Sequence, residues 1–299
     1  MIDGALLLDK GVGASSNAAL QEAKRLFGAA KAGHAGTLDP LASGLLIVLF
    51  GEATKFAGPL LEADKEYLAT LKLGEKTSTG DAEGEIVEVR PVAVGEGDVE
   101  TALRRFRGPI EQLPPMHSAL KRDGVPLYKL ARRGEKVERR LRRVEIFELE
   151  MLRFAPPLVE LRVRCSKGTY VRTLAEDIGE ALGTGAHLAA LRRTASGAFR
   201  VAEAASLDAL AGLALVERRR RLLPLSRLLV GLPAAELDAQ AEARLRNGLE
   251  LRVAGIGEGL CALFRVDGGV IGLGRGEAGG RVRALRLTRA LGQAAEKHR

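Results

Sequence analysis

The chain has 299 residues, of which 46% are hydrophobic and 28% charged, as in folded globular proteins. This composition excludes a mainly disordered or fibrous chain, and no apolar run approaches the ~20 residues of a membrane-spanning helix. Lys and Arg outnumber Asp and Glu by 46 to 38, a net charge of +8, which favours a polyanionic partner such as nucleic acid. The N-terminus is not typical of a signal peptide. Two cysteines, Cys165 and Cys261, predict no disulfide framework and favour a reducing, cytoplasmic compartment.

The N-terminal half predicts short strands separated by polar or glycine-rich loops. Ser15 or Ser16 can cap a helix whose apolar face uses Leu20, Ala23 and Phe27, because these residues recur at helical spacing. Alternating or continuous apolar runs bounded by glycines predict strands. The predicted strands are 4–9, 45–50, 65–73 and 85–89, with a further helix at 98–107 and loops at 31–44 and 76–84.

The C-terminal half begins with a predicted β-hairpin around Pro156 and Pro157. The hairpin strands are 144–152 and 158–165, followed by predicted helices at 171–182 and 207–229. The run 187–193 fits a helix or a strand equally well. Glycine becomes dense after residue 232, and short alternating runs there predict a small β-rich domain over 233–299 beside a larger domain over 1–232. Strands and helices do not alternate regularly, which favours an α+β fold over a doubly wound parallel sheet.

The excess positive charge is concentrated in one segment, residues 115–143. This segment has ten Lys and Arg but only three acidic residues, a net charge of +7. Such a cluster predicts phosphate contacts. The chain has three Tyr, eight Phe and no Trp, which argues against an aromatic platform for single-stranded nucleic acid.

Several short motifs lack the neighbouring sequence elements that their usual function requires. Ser118 and Lys121 fit the S-x-x-K pattern of penicillin-recognising acyl enzymes, but the S-D-N and K-T-G elements of that class are missing. The late glycines 272, 274 and 276 precede no predicted helix, so a dinucleotide site is not indicated. The His and Cys spacing predicts no zinc site. Asp81, Glu83 and Glu85 do not fit a calcium loop, and we interpret them as a solvated turn.

The strongest chemical signal is the loop over residues 33–44, GHAGTLDPLASG. Asp39 precedes a proline, which favours an extended backbone, and the glycines allow close approach of a ligand. From local physics alone we favour an ordinary Asp-Pro turn over a functional site, because such turns are common.

A longer series of motifs resembles the TruB family of bacterial tRNA pseudouridine-55 synthases. The loop continues as GHAGTLDPLASGLL followed by GEATKF, which resembles the family's signature. KEYLATLKLGEKTSTGDAEGE and CSKGTYVRTLAEDIGEALGTGAHLAALRR resemble its second and third motifs, and PPMHSALKRDGVPLYKLARRGEKVERR resembles its RNA-contacting insertion. His117 stands where many relatives carry Tyr. The C-terminal region, with LRNGLELR near its start, looks like a small PUA-type RNA-binding domain.

The resemblance implies a mainly antiparallel pseudouridine-synthase sheet flanked by helices and loops, and an isomerase that acts on one uridine of the tRNA T-loop. The C1′–N1 bond breaks, the base rotates and a C1′–C5 bond forms, without a cofactor, metal or nucleotide. Asp39 matches the family's aspartate, and it could attack C1′, attack C6 or take the C2′ proton. Arg172 matches its arginine partner, and Tyr67 matches the ring that stacks on the base.

Further residues follow from the same resemblance. Tyr170 and Leu191 match the lining of the uracil pocket, and His34 matches a residue beside the flipped nucleotide. The arginines expected to bind phosphates are Arg122, Arg132, Arg133, Arg139 and Arg140. The expected partner is the T-arm of tRNA, with no membrane and with the chain as a monomer. The alternative in another class is an RNA-binding or tRNA-folding module without catalysis.

Overall fold

The computed structural model describes residues 2–116, 118, 130, 133 and 137–289, with backbone alone at 121–122 and 125–126. These residues form a nine-stranded sheet, a five-stranded sheet and two small two-stranded sheets, with helices packed against them. The fold is therefore mixed α+β, as predicted.

Strands outnumber helices in the described part of the chain. The strands are β1 (Gly4–Lys10), β2 (Ala32–Ala35), β3 (Ala42–Phe50), β4 (Lys65–Leu73), β5 (Glu75–Thr77), β6 (Ile86–Val89), β7 (Gly108–Gln112), β8 (Lys121–Arg122), β9 (Val125–Pro126), β10 (Arg142–Ala155), β11 (Leu158–Cys165), β12 (Ala186–Ser196), β13 (Phe199–Arg200), β14 (Ala234–Leu237), β15 (Leu251–Arg252), β16 (Gly259–Arg265), β17 (Val270–Glu277) and β18 (Arg281–Leu287). The helices are α1 (Ser16–Phe27), α2 (Ala57–Glu62), α3 (Glu96–Arg104), α4 (Val171–Ala181), α5 (Leu207–Ala211), α6 (Leu215–Arg220) and α7 (Ala239–Arg246).

The large sheet has the order β1-β3-β12-β4-β11-β10-β7, with β2 beside β3 and β13 beside β12. Its neighbours are antiparallel except β3 and β12, which run parallel over a short register. In that register Leu191 lies opposite Ala42 and Arg193 opposite Gly44. This pairing brings the start of β3 next to β12 and β4, at the centre of the sheet.

Helix α1 shows how the sequence determines these elements locally. The Ser15 hydroxyl accepts a hydrogen bond from the Ala18 amide and caps the helix, and Gly28 ends it in the left-handed region at φ 60°. Leu20, Ala23 and Phe27 are buried against the large sheet, as predicted.

The five-stranded sheet has the order β14-β16-β17-β18-β15 and a small core of its own. Its other face contributes Ala262 and Leu273 to a cluster shared with the large sheet. The Lys55 ammonium donates to the Leu287 carbonyl at 2.8 Å, and the Arg289 amide donates to Glu52 at 2.8 Å. The β-rich C-terminal region predicted from its glycines is therefore present, with one helix, α7, added.

The structure decides two predictions of secondary structure. Residues 187–193 lie in strand β12, which pairs with both β4 and β3. The helical prediction over 207–229 is confirmed only in part, because the segment forms two short helices, α5 and α6, and a 3₁₀ turn at Leu225–Leu229, with breaks between them. Gly212 caps α5 and Pro224 precedes the 3₁₀ turn, so both residues interrupt the helical pattern.

Candidate active site

Asp39 lies in the turn that connects β2 to β3. The Ser16 hydroxyl at the start of α1 accepts a hydrogen bond from the Leu38 amide at 2.7 Å and donates to the Leu38 carbonyl at 2.9 Å. The Gly13 amide donates to the Pro40 carbonyl at 2.8 Å. The turn is thus fixed on both sides of Asp39, which holds the backbone of that residue in one place.

The Asp39 carboxylate forms an ion pair with Arg172. The guanidinium Nη2 lies 3.0 Å from Oδ2 of Asp39, and Nε lies 3.6 Å from Oδ2 of Asp81. Arg172 is in the first turn of α4 and also donates to the Thr79 carbonyl at 3.2 Å. Its side chain is 6% exposed whereas that of Asp39 is 40% exposed. The buried guanidinium therefore presents a carboxylate that a ligand can reach.

Burial and charge act in opposite directions on this carboxylate. Burial raises the pKa of Asp39 above its ordinary value, and the nearby Asp81 adds to the rise. The charges of Arg172 and Lys10 oppose it and favour the ionised form. The ion pair thus supplies the cation that a partly desolvated carboxylate needs in order to remain ionised.

Asp39 and Arg172 open onto a cavity of about 270 Å³, near the lower end of small-molecule sites. Tyr67 on β4 and Tyr170 at the start of α4 line the same cavity, and burial raises the pKa of both phenols. Among the described residues, the lining is Gly36, Thr37, Leu38, Asp39, Leu61, Lys65, Tyr67, Ser118, Ser166, Gly168, Thr169, Tyr170, Val171, Arg172 and Arg193. Four of the residues predicted for the site therefore line one cavity.

Two other residues from the sequence prediction lie outside that lining. Leu191 on β12 packs against the core cluster that contains Tyr67. His34 on β2 lies opposite Val48, and its Nδ1 is buried without a hydrogen-bond partner among the described residues. Burial and the charge of Arg193 lower the pKa of His34, which favours the neutral imidazole.

The structure describes only part of the basic segment. Arg139 donates to the Pro114 carbonyl at 2.9 Å, and Arg133 and Arg140 are exposed. Arg132, His117 and the side chain of Arg122 lie outside the described residues. The three described arginines therefore fit a charged surface, and their ligand remains a prediction.

The interpretation of Asp81 as part of a solvated turn is wrong. Asp81 is 3% exposed and accepts hydrogen bonds from the Thr79 hydroxyl at 2.6 Å and the Glu83 amide at 3.1 Å, beside Arg172. Glu83 and Glu85 are exposed, as that interpretation requires. The T-G-D triplet before two exposed acids gave no local signal that one carboxylate turns inward.

Two basic residues of the cavity were also missed. Lys65 donates to the carbonyls of Leu61 and Ala63, and burial with the charge of Arg193 lowers its pKa to about 8. Arg193 is buried on β12 and donates to backbone carbonyls of the Asp39 loop. The only signal in the sequence was their place inside the quoted motifs, two residues from Tyr67 and Leu191.

Both cysteines, Cys165 and Cys261, are buried and free. No helix within the described residues is long and apolar enough to cross a membrane.

Known proteins resemble this chain along nearly its whole length. Residues 24–171 match the TruB family pseudouridylate synthase N-terminal domain, and residues 172–230 match the tRNA pseudouridylate synthase B C-terminal domain. A tRNA pseudouridine synthase B of Azoarcus sp. (strain BH72) is 53% identical over 279 residues, covering 93% of each chain. One of Burkholderia lata is 54% identical over 294 residues, covering 98% of this chain and 87% of the relative.

Solved structures with a similar fold also cover nearly the whole chain. A crystal structure of a Cbf5-Nop10-Gar1 complex matches with a TM-score of 0.75 at 29% identity, covering 96% of this chain and 84% of the other. An H/ACA RNP bound to a substrate RNA containing 2′-deoxyuridine matches with a TM-score of 0.74 at 27% identity, covering 96% and 85%. These matches favour a pseudouridylate synthase over the acyl-enzyme alternative. The chain belongs to the TruB family of pseudouridylate synthases and is an enzyme, an isomerase.

Proposed function

We propose that this chain converts uridine-55 in the T-loop of tRNA to pseudouridine on a flipped-out nucleotide. The ion pair between Asp39 and Arg172, at the wall of a cavity shared with Tyr67 and Tyr170, carries this proposal. The relatives named tRNA pseudouridine synthase B support the choice of tRNA, and the motif resemblance supports position 55.

The reaction is a rearrangement in which the substrate keeps all its heavy atoms. The C1′–N1 bond breaks, the uracil turns within the cavity, and C5 bonds to C1′ while C5 loses its proton and N1 gains one. Asp39 is the catalytic carboxylate, and Arg172 keeps it ionised so that it can act as nucleophile or base. The 40% exposure of its side chain lets the ribose approach.

The surrounding side chains hold the nucleotide. Tyr67 stacks on the target base, and Tyr170 forms the opposing wall of the cavity. Leu191 and His34, which lie outside the cavity lining, are outer contacts of the flipped nucleotide in this proposal. The detached base is thereby retained until the new bond forms.

RNA contacts remote from the cavity offset the cost of flipping the base, which is about a few kcal/mol. We assign these contacts to the basic segment 115–143, whose arginines bind phosphates and fix the register of the T-arm. The five-stranded C-terminal sheet is a PUA-like RNA-binding domain in this proposal. The chain acts as a monomer in the cytoplasm, in keeping with two free cysteines.

The first prediction concerns Asp39→Asn, which removes the charge but keeps the shape. We expect no pseudouridine from a T-arm stem-loop labelled with tritium at C5 of the target uridine, while RNA binding and circular dichroism stay unchanged. Isomerisation releases the C5 tritium to water, so released tritium measures the reaction directly. Asp208→Asn is the matched control, because Asp208 is exposed on α5.

Each outcome of this comparison has a clear meaning. Normal tritium release by folded Asp39→Asn would remove Asp39 from the mechanism. If wild-type protein binds the stem-loop but releases no tritium, the chain is an RNA-binding module on this RNA and the proposed reaction is wrong.

A further inference from the structure

Arg193 is a buried cation that the proposed mechanism does not use. The residue is 2% exposed, and among the described residues it has no carboxylate within ion-pair distance. Burying an unpaired guanidinium is costly unless its donors are satisfied. A hydrophobic side chain of similar size would fill the same space at lower cost, so filling space does not explain an arginine at this position.

The donors of Arg193 are satisfied by main-chain carbonyls of the Asp39 loop and of β3. Nε donates to the Leu45 carbonyl at 2.7 Å, Nη1 to Thr37 at 3.3 Å and Nη2 to Gly36 at 3.0 Å. Gly36 and Thr37 lie three and two residues before Asp39. One planar guanidinium thus ties both ends of the turn that presents the catalytic carboxylate.

Two glycines of the loop motif fit around the same arginine. A Cβ on Gly36 would lie 3.4 Å from Nη1 of Arg193, and a Cβ on Gly44 would lie 2.3 Å from the Arg193 carbonyl oxygen. Both glycines have positive φ, +94° and +99°. The close approach to the Arg193 backbone at position 44 therefore requires glycine, and at position 36 it is the positive φ that favours glycine.

Arg193 also lies beside Tyr67. The two residues are directly opposite in the pairing of β12 with β4, and both line the cavity. Burial raises the pKa of the Tyr67 phenol, and the positive charge of Arg193 opposes that rise. The guanidinium thus binds the loop that carries Asp39, and its residue pairs with Tyr67 on the neighbouring strand.

We infer that Arg193 is a positioning residue for the isomerisation: it sets the Asp39 turn and the Tyr67 hydroxyl relative to each other. This inference rests on the proposed function, because it concerns the geometry of that same site. It differs from a purely structural role in one respect. The effect of Arg193 on the chemical step depends on the Tyr67 hydroxyl.

The test compares Arg193→Lys with Arg193→Gln in the full chain. Lysine keeps the charge and glutamine keeps one amide donor group, but neither can reach three carbonyls with a fork of fixed geometry. We measure the single-turnover rate of tritium release, the Kd for the T-arm stem-loop and the urea unfolding midpoint. Arg192→Lys is the matched control, because Arg192 is the neighbouring arginine and pairs with Asp9 at 2.7 Å.

We expect Arg193→Lys to lower the single-turnover rate by about tenfold or more, as misplaced groups do, with Kd changed much less. Arg192→Lys leaves the rate near that of wild type. In a Tyr67→Phe background the same Arg193→Lys change lowers the rate by a smaller factor, because part of its effect acts through the missing hydroxyl.

Three outcomes would overturn the inference. An equal loss of rate from Arg193→Lys with and without the Tyr67 hydroxyl would show that the two residues act independently. A lowered unfolding midpoint without a slower chemical step would make the role purely structural. Unfolding of both Arg193 variants would show that the fold itself requires this arginine. Absence of tritium release from wild-type protein would instead contradict the proposed function, so the two failures are distinguishable.

Discussion

At Asp39, burial and a neighbouring guanidinium act in opposite directions on the same proton. Burial raises the pKa of the carboxyl, and Arg172 at 3.0 Å lowers it. Asp81 also faces Arg172, at 3.6 Å, so one guanidinium serves two carboxylates. The charge state of Asp39 therefore depends on Arg172 more than on any side chain near it in sequence.

This balance predicts how activity responds to pH when Arg172 is changed. The proposed reaction needs ionised Asp39, so kcat/KM falls as pH drops through the pKa of that carboxyl. Arg172→Gln removes the main opposing charge, which raises the pKa of Asp39 further. In Arg172→Gln we expect the acid limb of the kcat/KM profile to move to higher pH. We also expect a lower plateau of kcat/KM. Arg192→Gln, which removes a cation paired with Asp9 instead, leaves the limb in place. A limb that stays or moves to lower pH in Arg172→Gln would contradict this assignment.

The next prediction is that removing the Tyr67 hydroxyl slows turnover without weakening RNA binding. Tyr67→Phe keeps the ring that stacks on the base and removes only the hydroxyl. We expect normal folding and a Kd for T-arm RNA close to that of wild type, with slower tritium release. Wild-type turnover by Tyr67→Phe would make the hydroxyl irrelevant to the reaction.

At the level of single residues, the sequence motifs pointed to four residues that line one cavity, and they gave no sign of Arg193, which lines it too. Asp39, Tyr67, Tyr170 and Arg172 come from three separated motifs and line one cavity. Arg193 was missed because its partners are main-chain carbonyls 148 to 157 residues away. No local pattern encodes such a contact.

At the level of elements, β12 is the strand that assembles the site. The run HLAALRR fits a helix or a strand, and pairing with β4 on one side and β3 on the other decides for the strand. The same pairing places Arg193 opposite Tyr67 and Gly44. Tertiary context thus determined both the element that the sequence left open and the residue that it missed.

The parallel contact between β3 and β12 predicts that a side chain at position 44 destabilises the fold. An added Cβ would lie 2.3 Å from the Arg193 carbonyl oxygen, and φ is +99°. We expect Gly44→Ala to lower the free energy of unfolding by roughly 2–5 kcal/mol, from backbone strain and overpacking together. Urea unfolding followed by circular dichroism measures this loss.

Gly97 provides the matched control within α3. It is exposed, an added Cβ would meet no atom within 4 Å, and no proline follows it. Gly97→Ala should be neutral or stabilising by up to about 1 kcal/mol, because alanine has the higher helix propensity. Equal effects of the two substitutions would show that close approach between the strands does not limit Gly44.

Across the whole molecule, positive charge is unevenly distributed. The segment 115–143 has a net charge of +7 against +8 for the entire chain. A second cluster lies in α6, where Arg219 and Arg220 are exposed. Composition predicted a polyanionic partner, but it cannot tell which cluster contacts RNA, because an arginine in either one adds the same charge to the total.

The dependence of RNA affinity on salt distinguishes direct phosphate contacts from long-range electrostatic attraction. Each phosphate contact releases counterions, so log affinity falls with log salt by roughly 0.7 to 0.9 per contact. Replacing Arg132 and Arg133 by Ala should reduce this slope by about that amount for each arginine that binds a phosphate. The measurement is the Kd for the T-arm stem-loop over a series of salt concentrations.

Replacing Arg219 and Arg220 by Ala removes the same two charges from a different surface. If long-range attraction alone drew RNA to the protein, both double variants would weaken affinity similarly at low salt. Contact at the basic segment predicts that only the Arg132 and Arg133 variant loses slope, because only there are counterions released. An unchanged slope in that variant would mean that these two side chains do not touch phosphate, and the T-arm would then be held by another surface.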